Sequence, residues 1–258
     1  MLKYPSAHIE VVREVGTFTL GTASRQSAQA AWDSLETAAE KLRNGEWQGV
    51  VTGPVCKRTL HEIGFPFPGQ TEFFAARAGI ENFAMCLTGG NLTVALVTAH
   101  VPLRQVVISR SEVVRVGLLL ASFLQRRGCS RIAVAGLNPH AGEGGDLGRE
   151  EIEVISPAVS DLQATGTATF SGPFSADTIF CRAIAGEFDG VLCMYHDQGL
   201  IPLKVHAFDA GVNVTLGLPF VRTSPDHGTA FDIAGRNVAR PDSMLSALRL
   251  ADELCAMA

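Results

Sequence analysis

The fold class is decided by residues 131–140, which read RIAVAGLNPH. The apolar run predicts a short buried strand at Arg131–Ala135, and the Gly, Asn and Pro residues that follow end it in a loop. Helical periodicity returns over Glu150–Gln163 and Ala176–Ala185, and a second apolar run predicts a strand at Gly190–Met194. Helices that alternate with buried strands are typical of an α/β fold with a mostly parallel sheet.

The rest of the chain extends this alternation. Apolar residues recur at helical spacing before and after the central block, and turn-forming residues separate them from short apolar runs. The further elements predicted are helices over 27–46 (capped by Ser27), 111–127 and 241–257, strands over 49–53 and 212–216, and a single antiparallel hairpin of 83–87 with 92–98.

The composition is that of a folded enzyme-sized chain. The 258 residues are 47% hydrophobic and 18% charged, which supplies enough apolar surface for one large domain or two modest ones. The net charge is −5, and the lysines and arginines are scattered rather than clustered. This pattern argues against nucleic acid or an anionic membrane as a partner.

Three features predict a cytoplasmic location. The N-terminal residues Met1–Arg13 reach charged side chains without the apolar segment of a secretory signal. The longest apolar helical stretch, Val116–Leu124, is far shorter than the ~20 residues that span a bilayer. The six cysteines stand singly, mostly inside apolar runs, so we expect buried reduced thiols rather than disulfides or a thiolate metal site.

Three histidines follow predicted strands at their carboxyl ends: His100, His140 and His196. An α/β sheet binds its ligands at that edge, and three His ligands with an open position form a known catalytic metal arrangement. The histidines therefore predict a divalent-metal site. Asp177 and Asp197 are candidates for a catalytic base or for orienting the metal ligands, and Asp177 fits a helix cap equally well.

Three further segments suggest binding, and each has a plain structural alternative. Residues 136–148 form a Gly-rich loop that lets a ligand approach the backbone, but its spacing matches no nucleotide-binding motif. Lys204, Asn213 and Arg222 suit a phosphate or a carboxylate, although each fits a surface position as well. Residues 226–235 are punctuated by Gly and also fit a turn that leads into a helix.

Taken together, these motifs resemble those of the 4-hydroxythreonine-4-phosphate dehydrogenase family. The matching segments are 52–57, 69–73, 98–103, 136–148, 172–177, 195–199 and 211–235, in the family's order. The longest read GLNPHAGEGG from residue 136 and NVTLGLPFVRTS from residue 213. The resemblance implies two α/β/α lobes with mostly parallel sheets and a cleft between them, similar to the isocitrate and isopropylmalate dehydrogenase-like fold.

The resemblance also implies a division of the chain and a reaction. Residues 1–75 plus 230–258 are expected to form a cofactor-side lobe, and residues 76–229 a metal- and substrate-binding lobe with the dimer interface. The implied reaction is the NAD-dependent oxidation of the 3-hydroxyl of 4-phosphohydroxythreonine. The resulting β-keto acid loses carbon dioxide to give 3-amino-2-oxopropyl phosphate, in pyridoxal 5′-phosphate (vitamin B6) biosynthesis.

Residue roles are implied where this chain matches the family's motifs. The divalent metal is expected to be zinc, with magnesium, cobalt or manganese as alternatives, and its ligands from both subunits of a homodimer are His100, His140 and His196. The residues implied to bind the phosphorylated hydroxy-acid substrate are Gln70, Thr71, Lys204, Asn213 and Arg222. Those implied in catalysis are Asp177, Asp197 and Lys204, and those implied to bind NAD are His227, Gly228, Thr229, Ala230 and Asp232. Asp232 would accept from the ribose 2′-hydroxyl and favour NAD over NADP.

Two departures from the family pattern keep alternatives open. Gln70 stands where the family has His, and a Gln side chain cannot carry a positive charge towards a phosphate. Nothing in Met1–Thr22 matches the Gly-rich segment with which family members begin, which implies an N-terminally short member. The alternatives are the same chemistry on threonate or erythronate 4-phosphate, and a non-catalytic truncated homologue. The presence of all three histidines together with Lys204 and Arg222 favours an enzyme.

Overall fold

The computed structural model describes residues 10–14, 16–17 and 19–257. Predictions that concern residues 1–9, namely the N-terminus without a secretory signal and the start of the cofactor-side lobe, fall outside the described residues. The helices are α1 (Arg25–Arg43), α2 (Lys57–Glu62), α3 (Gln70–Ala78), α4 (Arg110–Arg126), α5 (Ser156–Ala164), α6 (Ala176–Ile184), α7 (His196–Ala207) and α8 (Asp242–Ala256). The strands are β1 (Gly49–Val51), β2 (Ala84–Gly89), β3 (Leu92–Leu96), β4 (Arg131–Ala135), β5 (Thr169–Phe174), β6 (Gly190–Cys193), β7 (Val212–Leu216) and β8 (Val221–Pro225).

The strands form one eight-stranded sheet in the order β1-β8-β7-β2-β3-β6-β4-β5. The pairs β1–β8, β3–β6, β6–β4 and β4–β5 are parallel. The predicted hairpin of β2 and β3 is present, but β7 is also antiparallel to both β2 and β8, which the sequence did not predict. The α/β fold with a mostly parallel sheet is thus confirmed. Because β1 of the expected cofactor-side lobe pairs with β8 of the other lobe, the sheet is continuous, and the lobe boundaries stay a prediction.

Helices cover both faces of the sheet because its strands are apolar on both sides. In β4, Ile132 and Val134 face a core shared with α4 and α5, whereas Ala133 and Ala135 face a second core shared with α6 and α7. Helices α1 to α3 pack on a third cluster that is rich in Phe. These layers bring the carboxyl ends of β3, β6 and β4 to one edge of the sheet.

Several predicted elements need correction. The strands Arg131–Ala135 and Val212–Leu216 are confirmed residue for residue. The N-cap of α1 is Ser24 rather than Ser27, because the two serines form a reciprocal capping box. Strand β5 and helix α7 were not predicted, since each contains a Gly and a Pro that weaken its periodic signal. Lys204 lies inside α7, one of the elements that were not predicted.

The prediction of buried, reduced cysteine thiols is confirmed only in part. All six thiols are free. Cys86 and Cys193 are buried as predicted, and burial raises the pKa of the Cys86 thiol to about 12. Cys181 is exposed, so the prediction of a buried thiol is wrong there. Within the described residues, no helix is long and apolar enough to cross a membrane.

Candidate active site

Two predicted metal ligands meet at the carboxyl edge of the sheet. His100 follows β3 and His196 opens α7 directly after β6, and β3 and β6 are parallel neighbours. Their imidazole rings lie with centroids 5.6 Å apart. Burial of His100 by neighbouring atoms holds its pKa below the ordinary value, and the positive charge of nearby Lys57 lowers it further. His100 is therefore kept neutral, the form of imidazole that binds a metal.

His140 lies in a left-handed turn after β4. The φ angles of His140, Ala141 and Glu143 are 51°, 51° and 44°, and Gly142 and Gly144 continue the turn at 81° and 69°. Each non-Gly residue in this conformation costs roughly 1–2 kcal/mol. The turn folds Glu143 back onto His140, and Oε2 of Glu143 lies 2.8 Å from Nδ1 of His140.

The same carboxylate–imidazole contact occurs at the second strand end. Nδ1 of His196 lies 2.7 Å from Oδ1 of Asp197. An ionised carboxylate can only accept a hydrogen bond, so Nδ1 carries the proton in both His140 and His196. Each imidazole then has its Nε2 lone pair available, which is the tautomer that a carboxylate behind a histidine ligand selects at zinc sites.

The structure does not gather all three histidines in one chain. Among the described residues, no three His, Cys, Asp or Glu side chains lie close enough together to hold a metal ion. His140 instead lies near Asp177 in the first turn of α6. The pKa of Asp177 is lowered mainly by a hydrogen bond from Ser175, and the nearby His140 lowers it further. One chain thus presents two half-sites, His100 with His196 and His140 with Asp177.

A cavity of about 410 Å³ opens beside His100. It brings together five sequence-predicted substrate residues, which are Gln70, Thr71, Lys204, Asn213 and Arg222. His227 and Gly228, predicted to bind the cofactor, also line it. Asp177 and Asp197 do not line this cavity, and the side chain of Asp197 is 69% exposed.

Arg222 forms the floor of this cavity. Its residue surface is 4% exposed, and its Nη atoms donate to the hydroxyls of Thr52, Thr71 and Thr215 at 3.0, 3.4 and 3.2 Å. Burial lowers the pKa of Arg222 to about 10. Its Nε atom has no hydrogen-bond partner in the described part of the chain. A buried guanidinium with an unused donor is suited to an anionic ligand.

The N-terminus of α3 points its first turn at the same cavity. Gly69 is the N-cap, and Gln70, Thr71 and Glu72 form the first turn. Backbone N–H groups at the start of a helix attract a phosphate. Arg222 and the first turn of α3 thus bring a buried cation and helix N–H groups to one end of the cavity, a combination suited to an anion.

Gln70 lines the cavity and has an unused acceptor. Its Nε2 donates to the carbonyl oxygen of Gly53 at 3.0 Å, which fixes the orientation of the amide. Its Oε1 is buried and has no partner within the residues described. A hydroxyl or amino group of a ligand can satisfy this oxygen, whereas a phosphate oxygen cannot.

The sequence-based site omits three charged residues that line the cavity, namely Lys57, Glu72 and Asp226. Lys57 and Glu72 lie against Gly69, where a Cβ added to the glycine would stand 3.4 Å from Lys57 Nζ and 3.2 Å from Glu72 Oε2. Lys57 makes no ion pair within the described ranges, whereas Lys204 pairs with Asp226 at 3.2 Å. Lys57 lies in the segment 52–57 that carries the family resemblance, so a signal for it was available.

The segment predicted to bind NAD borders a second cavity. His227, Gly228 and Ala230 line this space of about 410 Å³, and His227 and Gly228 also line the first cavity. Ala230 has a φ of 48° and caps a short turn over Phe231–Ile233 that carries the exposed Asp232. Thr229 lies between Gly228 and Ala230. The two cavities therefore adjoin at Asp226, His227 and Gly228.

Comparison with known proteins identifies related chains. The sequence model of the family described as "Pyridoxal phosphate biosynthetic protein PdxA" matches residues 3–251. A 4-hydroxythreonine-4-phosphate dehydrogenase of Caulobacter vibrioides is 49% identical over 233 residues, which cover 86% of this chain and 70% of that protein. The crystal structure of the same enzyme from Klebsiella pneumoniae superposes with a TM-score of 0.82 at 40% identity, covering 91% of this chain and 73% of that one. An isocitrate dehydrogenase structure from Methylococcus capsulatus, at 12% identity and a TM-score of 0.53, shares the fold.

Proposed function

Because this chain belongs to the PdxA family of pyridoxal phosphate biosynthetic proteins, we propose that it is an NAD- and metal-dependent 4-hydroxythreonine-4-phosphate dehydrogenase. It oxidises the 3-hydroxyl of 4-phosphohydroxythreonine, and loss of carbon dioxide gives 3-amino-2-oxopropyl phosphate. The observation that carries the proposal is the cavity that unites Arg222, the first turn of α3 and His100. A phosphate end and a reaction end are thereby joined in one space.

The phosphate of the substrate binds at the Arg222 end. The unused Nε of Arg222 and the hydroxyl of Thr71 supply donors, and the backbone N–H groups of the first turn of α3 supply more. The buried Oε1 of Gln70 accepts from the amino group or a hydroxyl of the substrate. This division explains how Gln70 replaces the family's His without losing the phosphate.

Two lysines serve the carboxylate end. Lys57 lies between the first turn of α3 and His100, and we assign it to the substrate carboxylate. Lys204, which lies 3.2 Å from Asp226, is the proposed donor of the proton that replaces the lost carboxylate on carbon. The ion pair with Asp226 supports this role because it holds the Lys204 ammonium beside the cavity.

The residues present fit the two groups that the reaction requires. Bound NAD supplies the hydride acceptor, and a bound divalent metal, zinc in the first place, supplies positive charge that makes the substrate hydroxyl more acidic. His227, Gly228, Thr229 and Ala230 would hold the nucleotide, and Asp232 would accept from its ribose 2′-hydroxyl. The residues that would hold the metal are His100 and His196 of one subunit, the latter through Nε2, with His140 through Nε2 from the other subunit of a homodimer.

The two half-sites also suggest where the proton of the substrate hydroxyl goes, namely to a carboxylate at the boundary between the subunits. Since His140 and Asp177 lie together, one subunit brings both to the His100–His196 pair of the other. Asp177 and Asp197 are the proposed acceptors for the hydroxyl proton. We place this activity in the cytoplasm, because its NAD and its phosphorylated substrate are intracellular metabolites.

The test mixes purified protein with NAD and each phosphorylated acid, with and without a chelator, and measures NADH formation by its absorbance. The proposal predicts turnover on 4-phosphohydroxythreonine that the chelator abolishes and added zinc restores. Turnover on erythronate or threonate 4-phosphate alone would assign the alternative substrate. Absence of turnover on every acid, with metal bound, would overturn the enzyme assignment.

A further inference from the structure

One peptide group at the end of β4 is held from both sides by buried side chains. The carbonyl oxygen of Gly136 accepts from Nε2 of Gln198 at 2.6 Å, and the N–H of Leu137, in the same peptide group, donates to Oε1 of Glu151 at 2.7 Å. Gln198 and Glu151 are 6% and 3% exposed. This peptide group opens the loop that carries His140, so its position fixes where the loop begins.

Glu151 also fills the inside of that loop. Its Oε1 accepts from the N–H of Asn138 at 2.7 Å, and its Oε2 accepts from Nδ2 of Asn138 at 3.0 Å. The backbone of Gly142 packs so closely that a Cβ added there would stand 2.7 Å from Oε2. A buried carboxylate is costly to desolvate, and here three donors offset that cost. The strained left-handed turn is therefore wrapped around Glu151.

Gln198 joins this loop to the strand of the second histidine. It lies two residues after His196, and its Oε1 accepts from the N–H of Met194 at 2.7 Å. An N–H can only donate and a carbonyl can only accept, so both contacts fix the orientation of the amide. One side chain thus spans the ends of β6 and β4, the strands that lead to His196 and His140.

We propose that Glu151 and Gln198 are positioning residues that set His140 and His196 in their places as metal ligands. Neither touches substrate, cofactor or metal in this account. They act through the Gly136–Leu137 peptide group, which connects the two half-sites within each subunit. The inference rests on the proposed metal site and adds to it the residues that determine its affinity.

The variants Gln198→Met and Glu151→Gln test the proposal in the full-length protein. In Gln198→Met, the new side chain has nearly the shape of Gln but makes neither of its two hydrogen bonds. In Glu151→Gln, the amide NH₂ group faces a donor of Asn138 in either orientation of the amide. Zinc affinity is measured by competition with a chromogenic chelator, and phosphate binding at Arg222 by inhibition of turnover. We expect zinc binding to weaken about 10- to 100-fold, as for other changes around metal ligands, with phosphate inhibition unchanged.

A matched control is Gln163→Met. Gln163 also donates from Nε2 to a backbone carbonyl, that of Phe170 at 3.0 Å, but at the amino end of β5. We expect its zinc affinity to stay at the wild-type value. Should Gln198→Met not fold, Glu151→Gln carries the test alone, and the same loss of zinc affinity is expected.

The outcomes separate this inference from the proposed function. Wild-type protein that binds no zinc would overturn the metal site and the inference together. Zinc bound by the wild type and equally by the folded Glu151 and Gln198 variants would overturn the inference and leave the proposed function intact. Parallel loss of zinc and phosphate binding would also overturn it, since that result indicates a general structural role.

Discussion

Arg222 Nη1 lies 3.4 Å from Thr71 Oγ1, so β8 and the first turn of α3 meet around one buried guanidinium. Arg222 lines the cavity, and its Nε atom has no partner in the described part of the chain, so one donor of the guanidinium is left unused. If Arg222 binds the substrate phosphate as proposed, affinity depends on a planar, multidentate cation, which a single positive charge does not replace.

The first prediction concerns Arg222→Lys. The variant keeps the charge and loses the forked donors, so we expect KM for the phosphorylated substrate to rise about 10- to 100-fold, the effect of one or two lost hydrogen bonds to a charged group. Inhibition by inorganic phosphate should weaken in parallel. Steady-state kinetics measure both. The control is Arg182→Lys in α6, whose guanidinium pairs with Glu187 on the surface. An unchanged KM in Arg222→Lys would remove Arg222 from the phosphate site.

The second prediction concerns Lys57→Met. If Lys57 binds the carboxylate, KM should rise about tenfold, the cost of one charge-assisted contact, while inorganic phosphate inhibits as before. KM for the substrate and the inhibition constant for inorganic phosphate are measured in the same preparation and compared. Arg58→Met is the matched control, because Arg58 is the next residue of α2 and does not line the cavity. Weaker phosphate inhibition in Lys57→Met would instead place Lys57 at the phosphate end.

The third prediction concerns the metal. His140→Ala should abolish turnover and stoichiometric zinc, because it removes the ligand that a second subunit brings. Glu143→Gln keeps an acceptor near Nδ1 of His140 but no charge, so we expect about tenfold weaker zinc binding. Zinc content after gel filtration and a zinc titration test these expectations. His206→Ala is the control, since His206 pairs with Asn91 away from the site. Full zinc content in His140→Ala would refute its role as a ligand.

The fourth prediction concerns stability and pH. Asp189 accepts from the N–H groups of Ser130 and Arg131 and from the Arg131 guanidinium, and Arg131 holds the pKa of Asp189 below its ordinary value. A depressed pKa in the folded state adds stability that is present above the unfolded pKa and is lost as the pH falls through the folded pKa. Asp189→Asn should therefore cost about 1–2 kcal/mol at pH 7.

Urea unfolding at several pH values tests this sign. The difference in free energy of unfolding between wild type and Asp189→Asn should be constant from pH 7 to about 5. It should shrink towards zero as the pH falls below about 4. Asp252→Asn, an exposed change in α8, should stay within about 0.5 kcal/mol of wild type throughout. A gap that persists at the lowest pH would show that the charge of Asp189 does not carry the effect.

The sequence predicted the fold where periodicity was uninterrupted. Strands β4 and β7 are continuous apolar runs, and their bounds were predicted to the residue. Helix α7 was missed because Gly199 and Pro202 interrupt it, although burial of Leu200 and Leu203 against the sheet stabilises it. Tertiary packing outweighs local propensity in such segments.

The site was predictable in its parts but not in its assembly. Strand ends identified His100 and His196 because parallel neighbours place their carboxyl ends together. The separation of His140 from that pair depends on a left-handed turn, which no periodicity reveals. Glu151 was missed for a similar reason. A carboxylate in a predicted helix is expected on the surface, and only the loop packed around Glu151 explains its burial.

The proposed function requires that this cavity couple oxidation to decarboxylation of a phosphorylated hydroxy acid. Its most direct test measures carbon dioxide and NADH released together from 4-phosphohydroxythreonine by the zinc-loaded protein. The account predicts equal amounts of the two products, with both abolished in His140→Ala. NADH formed without carbon dioxide, or neither product formed by protein with zinc bound, would contradict it.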